Sequence, residues 1–149
     1  MNLRQSVLSI INLFIAALYF LCVSVFSSEI VVVVNSNNME NISPEMIKQI
    51  YSDKRNFWKN GYEILLFELP VKDKSREKFS STLLNKSAIA SQSDWSNRYV
   101  KNTIKNTVKI KPQKLVAKFV SRNKYAIGYI PADIAKRQSN IRVIMTINE

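Results

Sequence analysis

Two polar clusters in the sequence carry side chains of the kinds that bind a small oxyanion. The first cluster follows the apolar run IVVVV and the second follows the run ELP. Their members are Asn35, Ser36, Asn37, Lys72, Ser75 and Arg76. Amide, hydroxyl and ammonium groups donate hydrogen bonds to oxyanions, and a guanidinium can donate two at once. Each cluster also precedes a predicted helix, whose first turn adds free N–H groups. The six residues therefore form a candidate ligand-binding site, although each is also an ordinary loop or capping residue.

A catalytic site is not predicted. The chain has no His, and its only Cys is Cys22 in the N-terminal apolar segment. Thiol nucleophiles, histidine bases and Cys/His metal sites are thereby excluded from the rest of the chain. Asp73, Lys74 and Ser75 are adjacent, but neighbouring helical side chains point apart, so we interpret them as a capped helix start. We predict a protein that is not an enzyme and has no metal or cofactor.

The elements that must position these residues follow from hydrophobic patterning. Strands are predicted over residues 31–34, 63–68, 125–130 and 141–146. Helices are predicted to begin at Ser43, Asp73, Ala88, Pro112 and Pro131. The β-branched run 31–34 is typical of a strand buried on both faces, as in a parallel sheet. The alternation of strands and helices predicts an α/β fold with a mostly parallel sheet flanked by helices. Gly128, inside a predicted strand, indicates a close approach of another element or a bulge.

The N-terminal segment has the pattern of an export signal. Arg4 precedes a nearly continuous apolar run over residues 7–25, and small residues follow it. We therefore predict a signal peptide over residues 1–27 and a single α/β domain over residues 28–149 in the periplasm. The apolar run also approaches the length that spans a bilayer, so an uncleaved membrane anchor is the alternative.

The remainder of the chain is strongly basic. The whole sequence has a net charge of +11, of which Arg4 contributes one. Three lysines, Lys101, Lys105 and Lys109, are at helical spacing, and Lys111, Lys114 and Lys118 lie nearby. Positive charge favours an anionic partner or surface, or serves only as a solvated face. Export argues against nucleic acid, and the lysines lack the interleaved aromatic residues of a single-strand platform.

An ordered series of motifs resembles the phosphate-binding-protein family within the type 2 periplasmic binding protein superfamily. The series includes VVVVNSNN, IYSDKRNFW, ILLFELPVKDKSREKF and YAIGYIP. In the family's IF-x-G-K-x-x-x-W element, the matching places are taken by Ile50, Tyr51, Lys54, Arg55 and Trp58. Asp53 stands where the family usually has glycine.

The resemblance implies the fold of one lobe of such a receptor. It further implies phosphate binding for ABC-type transport or sensing, with an ABC transporter membrane component as partner. Two departures bear on this function. The Ser-Gly-Thr run that holds the anion in full-length receptors is absent from LPVKDKSREKF, and about 120 residues are too few for two lobes.

A second hypothesis keeps the fold but changes the role. The domain would then be a non-catalytic envelope interaction module that binds a protein or an anionic surface through its basic face. The placement of Arg76 separates the two hypotheses. A position in a pocket with Ser75 and Asn37 would favour ligand binding, and a position on the outer face with Lys101 and Lys105 would favour the interaction module.

Overall fold

The computed structural model describes residues 29–148, so the predicted export segment over residues 1–27 lies outside the described part of the chain. The strands are β1 (Ile30–Asn35), β2 (Leu65–Glu68), β3 (Val108–Ile110), β4 (Ala126–Pro131) and β5 (Ile141–Ile147). The helices are α1 (Pro44–Tyr51), α2 (Lys74–Leu84), α3 (Ala88–Val100), α4 (Gln113–Arg122) and α5 (Ala132–Lys136). Within residues 29–148, none of these helices combines the length and apolarity that crossing a bilayer requires.

The five strands form one sheet in the order β3-β2-β4-β1-β5. β2 is parallel to β3 and β4, whereas β1 is antiparallel to both β4 and β5. Four strands therefore run in one direction, and the predicted class of an α/β fold with a mostly parallel sheet flanked by helices is confirmed. The burial of β1 on both faces is also confirmed, but its direction differs from the parallel arrangement that its apolar run suggested.

Helices cover both faces of the sheet, and two adjacent residues of β4 show which helix lies on which face. The Gly128 backbone faces Val116 and Val120 of α4. The Tyr129 ring stacks on Phe79 of α2, with ring centroids 3.9 Å apart. Because successive strand residues point to opposite faces, α4 lies on one side of the sheet and α2 on the other.

A turn after α1 explains the aspartate that replaces the family's usual glycine. Asp53 has φ 60, in the left-handed region that glycine adopts readily and aspartate tolerates. Its carboxylate accepts hydrogen bonds from the backbone N–H groups of Lys105 and Asn106, at 2.9 and 3.0 Å, and from Asn56 Nδ2 at 2.7 Å. Asp53 therefore ties the turn after α1 to the loop that precedes β3.

Substitution of Gly128 tests the packing of α4 on the sheet. A methyl group at Gly128 would lie 2.5 Å from Val116 Cγ1, and the β-branched Val116 has little freedom to move away. We expect Gly128→Ala to lower the free energy of unfolding by about 1–3 kcal/mol, the usual cost of overpacking. Chemical denaturation measures this change.

The control is to make the same substitution in a Val116→Ala variant, which lacks the clashing methyl groups. Gly128→Ala should cost less in that background than in the natural chain, because the added methyl then has room. An equal cost in both backgrounds would contradict the proposed close contact.

Candidate functional site

The two predicted halves of the ligand site lie at opposite ends of the sheet. Val34 and Leu66 both pair with Ile127, so Asn35 lies level with the amino ends of β2 and β4. The loop that carries Lys72 follows the carboxyl end of β2, about 13 Å farther along the strands at the usual rise per residue. Because β1 runs against its neighbours, the structure does not bring the six predicted residues together.

The first cluster closes the end of a helix. Asn35 is 3% exposed, and its Nδ2 donates to the carbonyl oxygens of Val120 and Ser121 at 2.9 and 3.0 Å. Its Oδ1 accepts from the backbone N–H of Asn37, and the Ser36 N–H donates to the Asn140 carbonyl. The Asn35 side chain thus satisfies terminal carbonyls of α4 and has no N–H left for a ligand.

A cavity of about 320 Å³ lies beside this first loop, and its lining includes Asn37, Glu40, Lys59 and Lys124. The Glu40 carboxylate accepts from Arg55 Nη2 at 2.7 Å and from the Lys59 N–H at 2.9 Å. The Glu40 carboxylate is therefore engaged by neighbouring groups, and its charge opposes an anion in this cavity.

Arg76 is fully buried. It therefore lies neither in an open pocket with Ser75 and Asn37 nor on the outer face with Lys101 and Lys105, and its position favours neither hypothesis. Its Nη1 donates to the Leu69 carbonyl at 2.8 Å, and its Nε lies 3.3 Å from Glu68 Oε2. The guanidinium therefore joins the start of α2 to the end of β2. It holds the loop between them in place and does not face solvent.

The buried partner of Arg76 belongs to a wider polar group in the core. Tyr129 Oη donates to Glu68 Oε2, and Tyr51 Oη donates to the Phe67 carbonyl at 3.1 Å. Burial raises the pKa of Glu68, against the opposing effect of Arg76 and of the Tyr129 hydrogen bond. Burial also raises the pKa of Tyr51 and Tyr129 well above the ordinary tyrosine range, with a further contribution from Glu68.

Several atoms of this buried group lack hydrogen-bond partners among residues 29–148. They are Glu68 Oε1, Arg76 Nε, Arg76 Nη2 and Ser80 Oγ. The Arg76 Nε contact with Glu68 is thus an ion pair without hydrogen-bond alignment. An ion pair left partly unsatisfied in the core does little for stability by itself, but removal of one partner would strand a buried charge.

The second cluster lies where two helices begin. The Asp73 carboxylate caps α2 by accepting from the Ser75 N–H at 2.8 Å. It also accepts from Gln113 Nε2, in the first turn of α4, at 3.1 and 3.0 Å. Lys72 is exposed beside this junction, and Ser75 Oγ lies 3.4 Å from Gln113 Nε2. The amino ends of α2 and α4 therefore converge at the carboxyl ends of β2 and β3.

Gln113 was not among the predicted site residues because the strand β3 was not predicted. The short segment Val108–Ile110 is flanked by Lys, Asn and Thr and gives little strand signal. Its parallel pairing with β2 is what carries the start of α4 back to the start of α2. Proline at position 112 did mark the beginning of α4, where it is the N-cap residue.

The predicted helical stripe of lysines is wrong. Lys101 is the C-cap residue of α3, Lys105 lies in the following loop, and Lys109 lies in β3. These three lysines are close in the sequence but do not lie on one face of a helix. Residues 29–94 contain nine basic and nine acidic residues, whereas residues 95–132 contain nine basic residues and no acidic residue. The positive charge is thus concentrated on the end of α3, on β3 and on α4.

Comparison with solved structures identifies a protein of similar fold. No family model matches the chain, and no curated protein matches it. Among solved structures, the chain is similar to an ABC-type phosphate transport receptor from Vibrio cholerae, with a TM-score of 0.60 and 16% sequence identity. The similarity covers 79% of this chain and 46% of the receptor. The chain therefore has a fold like that of a periplasmic binding protein lobe and spans about half the length of the receptor.

The raised pKa of Glu68 predicts a particular pH dependence of stability. The folded protein holds the Glu68 proton more tightly than the unfolded chain does. The stabilisation from this proton is complete below the ordinary glutamate pKa of about 4.3 and is lost as pH rises through the folded-state pKa. We expect the free energy of unfolding of the natural chain, relative to Glu68→Gln, to fall as the pH rises from about 4 upward.

Denaturant titrations of both proteins across this pH range measure the difference. Glu63→Gln, at an exposed position, is the matched control for loss of one carboxyl group. A relative stability that rises with pH would show that Arg76 dominates over burial and would contradict the assignment.

Proposed function

We propose that this chain is an exported, non-catalytic solute-binding-like protein that binds phosphate or a similar small oxyanion at the converging amino ends of α2 and α4. The observation that carries the proposal is the Asp73–Gln113 hydrogen bond, which holds the two helix starts together. Each helix start contributes free N–H groups and a partial positive charge, and the two effects act on the same place.

The donors for such a ligand come from both sides of the junction. The N-cap residue of α4, Pro112, provides no side-chain cap. The N–H groups of Leu115 and Val116 donate to the Pro112 carbonyl, so those of Gln113 and Lys114 are the ones that remain for a ligand. The ammonium groups of Lys72 and Lys114, which are both exposed, complete the proposed set, whereas Ser75 is buried and supports the junction from below. Arg76 positions the loop and does not contact the ligand.

The Asp73 carboxylate already occupies part of this positive region. Its charge opposes a second anion, so the oxyanion would bind beside it and share its donors. This arrangement favours modest affinity in the isolated lobe and higher affinity when another surface covers the open side. The similar receptor is about twice as long as the matched part of this chain. We therefore propose an ABC transporter membrane component or another envelope protein as the covering partner.

Calorimetric titration of phosphate into the protein, purified in the form that its cell produces, tests the proposal. We expect saturable one-site binding in calorimetry that persists at high salt and exceeds sulfate binding. Lys114→Ala should weaken phosphate binding by roughly tenfold, the effect of one lost charged hydrogen bond. Asp73→Asn should strengthen it, because the substitution keeps a capping oxygen and removes the opposing charge.

Lys124→Ala is the matched control, since it removes one lysine from the same basic region at the opposite end of the sheet. Its affinity for phosphate should equal that of the natural chain. Absence of heat, or weak binding of both anions that salt abolishes, would reject the oxyanion site.

A further inference from the structure

The strand β3 forms one edge of the sheet and has a free side. It is the terminal strand in the order β3-β2-β4-β1-β5. The Lys111 N–H, directly after β3, donates to the Glu68 carbonyl of β2 at 2.9 Å. Because N–H groups alternate in direction along a strand, the N–H groups of Val108 and Ile110 point away from the sheet. Among residues 29–148, no backbone hydrogen bond joins these outward groups to another segment.

An apolar groove runs beside this edge on the α3 side. It has a volume of about 330 Å³, and its lining contains no charged residue. Its apolar lining is formed by Trp95, Tyr99, Val100, Ile104, Val108 and Ile110. Tyr99 is 75% exposed and Val100 is 83% exposed. An apolar patch of this kind at a sheet edge is typical of a surface that another chain covers.

The α4 side of the same edge is also partly apolar. Lys109 pairs with Phe67 in the parallel register, so the two side chains share a face. The Phe67 ring stacks on Phe119 at 5.3 Å, and both Phe119 and Leu115 are 41% exposed. A strand added to β3 would therefore place alternate side chains against apolar surface on both faces.

The charge around the edge selects the kind of occupant. Lys109 lies in β3, Lys105 and Lys111 flank it, and the surrounding segment 95–132 has nine basic residues and no acidic one. Of the carboxylates beside the edge, Asp53 already accepts three hydrogen bonds, and Glu63 lines a cavity with Lys109, so the lysines outnumber the carboxylates there. A second copy of this chain would bring like charges together, which is unfavourable. An acidic segment would instead gain attraction to these lysines, and its backbone would satisfy the outward N–H and C=O groups of β3.

We infer that the free edge of β3 receives an extended acidic segment of a partner protein as a sixth strand, with apolar side chains in the groove beside α3. Main-chain hydrogen bonds supply affinity in this mode of recognition, and alternate side chains supply specificity. The inference does not depend on the proposed oxyanion site, which lies at the carboxyl ends of β2 and β3 and uses different residues.

A fluorescent ten-residue peptide that alternates glutamate with valine or phenylalanine is the probe. The natural chain should bind it saturably in fluorescence anisotropy, and salt should weaken the binding. A peptide of the same charge with proline at alternate positions cannot form strand hydrogen bonds and should bind at least about tenfold more weakly.

Variants of the chain locate the binding on the edge. Ile110→Pro removes an outward N–H while the Lys111 bond to β2 remains, and it should weaken peptide binding by about tenfold, the effect of one or two lost backbone hydrogen bonds. Tyr99→Ser alters an exposed groove residue without risk to the core and should also weaken binding. Lys136→Glu on α5 changes charge away from the edge and should leave binding unchanged.

Three results would overturn the inference. Equal binding of the proline-containing peptide would show that the interaction depends on charge alone and not on strand pairing. Binding to phosphatidylglycerol vesicles without binding to the peptide would identify a membrane surface. Sedimentation that shows a dimer abolished by Ile110→Pro, again without peptide binding, would identify a second copy as the occupant.

Discussion

The buried ion pair between Glu68 and Arg76 fixes the geometry on which the proposed site depends. It joins the last residue of β2 to the first turn of α2, and Arg76 also binds the Leu69 carbonyl. Tyr129 extends the same group to β4. The loop from Pro70 to Asp73 is therefore held at both ends by core contacts. A buried ion pair of this kind is poorly suited to contact a ligand. Its role is to hold the exposed residues of the loop in position.

The sequence predicted most elements of the fold, but it did not predict the direction of β1. A continuous apolar run indicates burial on both faces, and Val31–Val34 is indeed buried, yet such a run carries no information about direction. That direction decides which loops meet. It separates Asn35 from Ser75, whereas the unpredicted pairing of β3 brings Gln113 to Asp73. Local chemistry thus singled out Lys72 and Ser75 as candidates, whereas the residues that they lie beside in the folded chain follow from the topology.

The distribution of charge divides the molecule into two parts with different physical properties. Residues 29–94 are balanced in charge and supply the central core contacts of β1, β2 and α2. Residues 95–132 contain nine basic residues and no acidic one, and they contribute half of the large exposed apolar side chains among residues 29–148, from Tyr99 to Phe119. Similarity to one lobe of a phosphate transport receptor accounts for the shared fold, and this asymmetric surface is a separate property of the chain.

The lysine in the middle of β3 has a consequence for the behaviour of the protein at high concentration. Exposed sheet edges are templates for uncontrolled growth of β-structure, and natural proteins limit this hazard with short edge strands and charged side chains. β3 is three residues long and carries Lys109 at its centre. The edge can therefore remain open in a crowded compartment without promoting fibril formation, because each added identical chain would increase electrostatic repulsion.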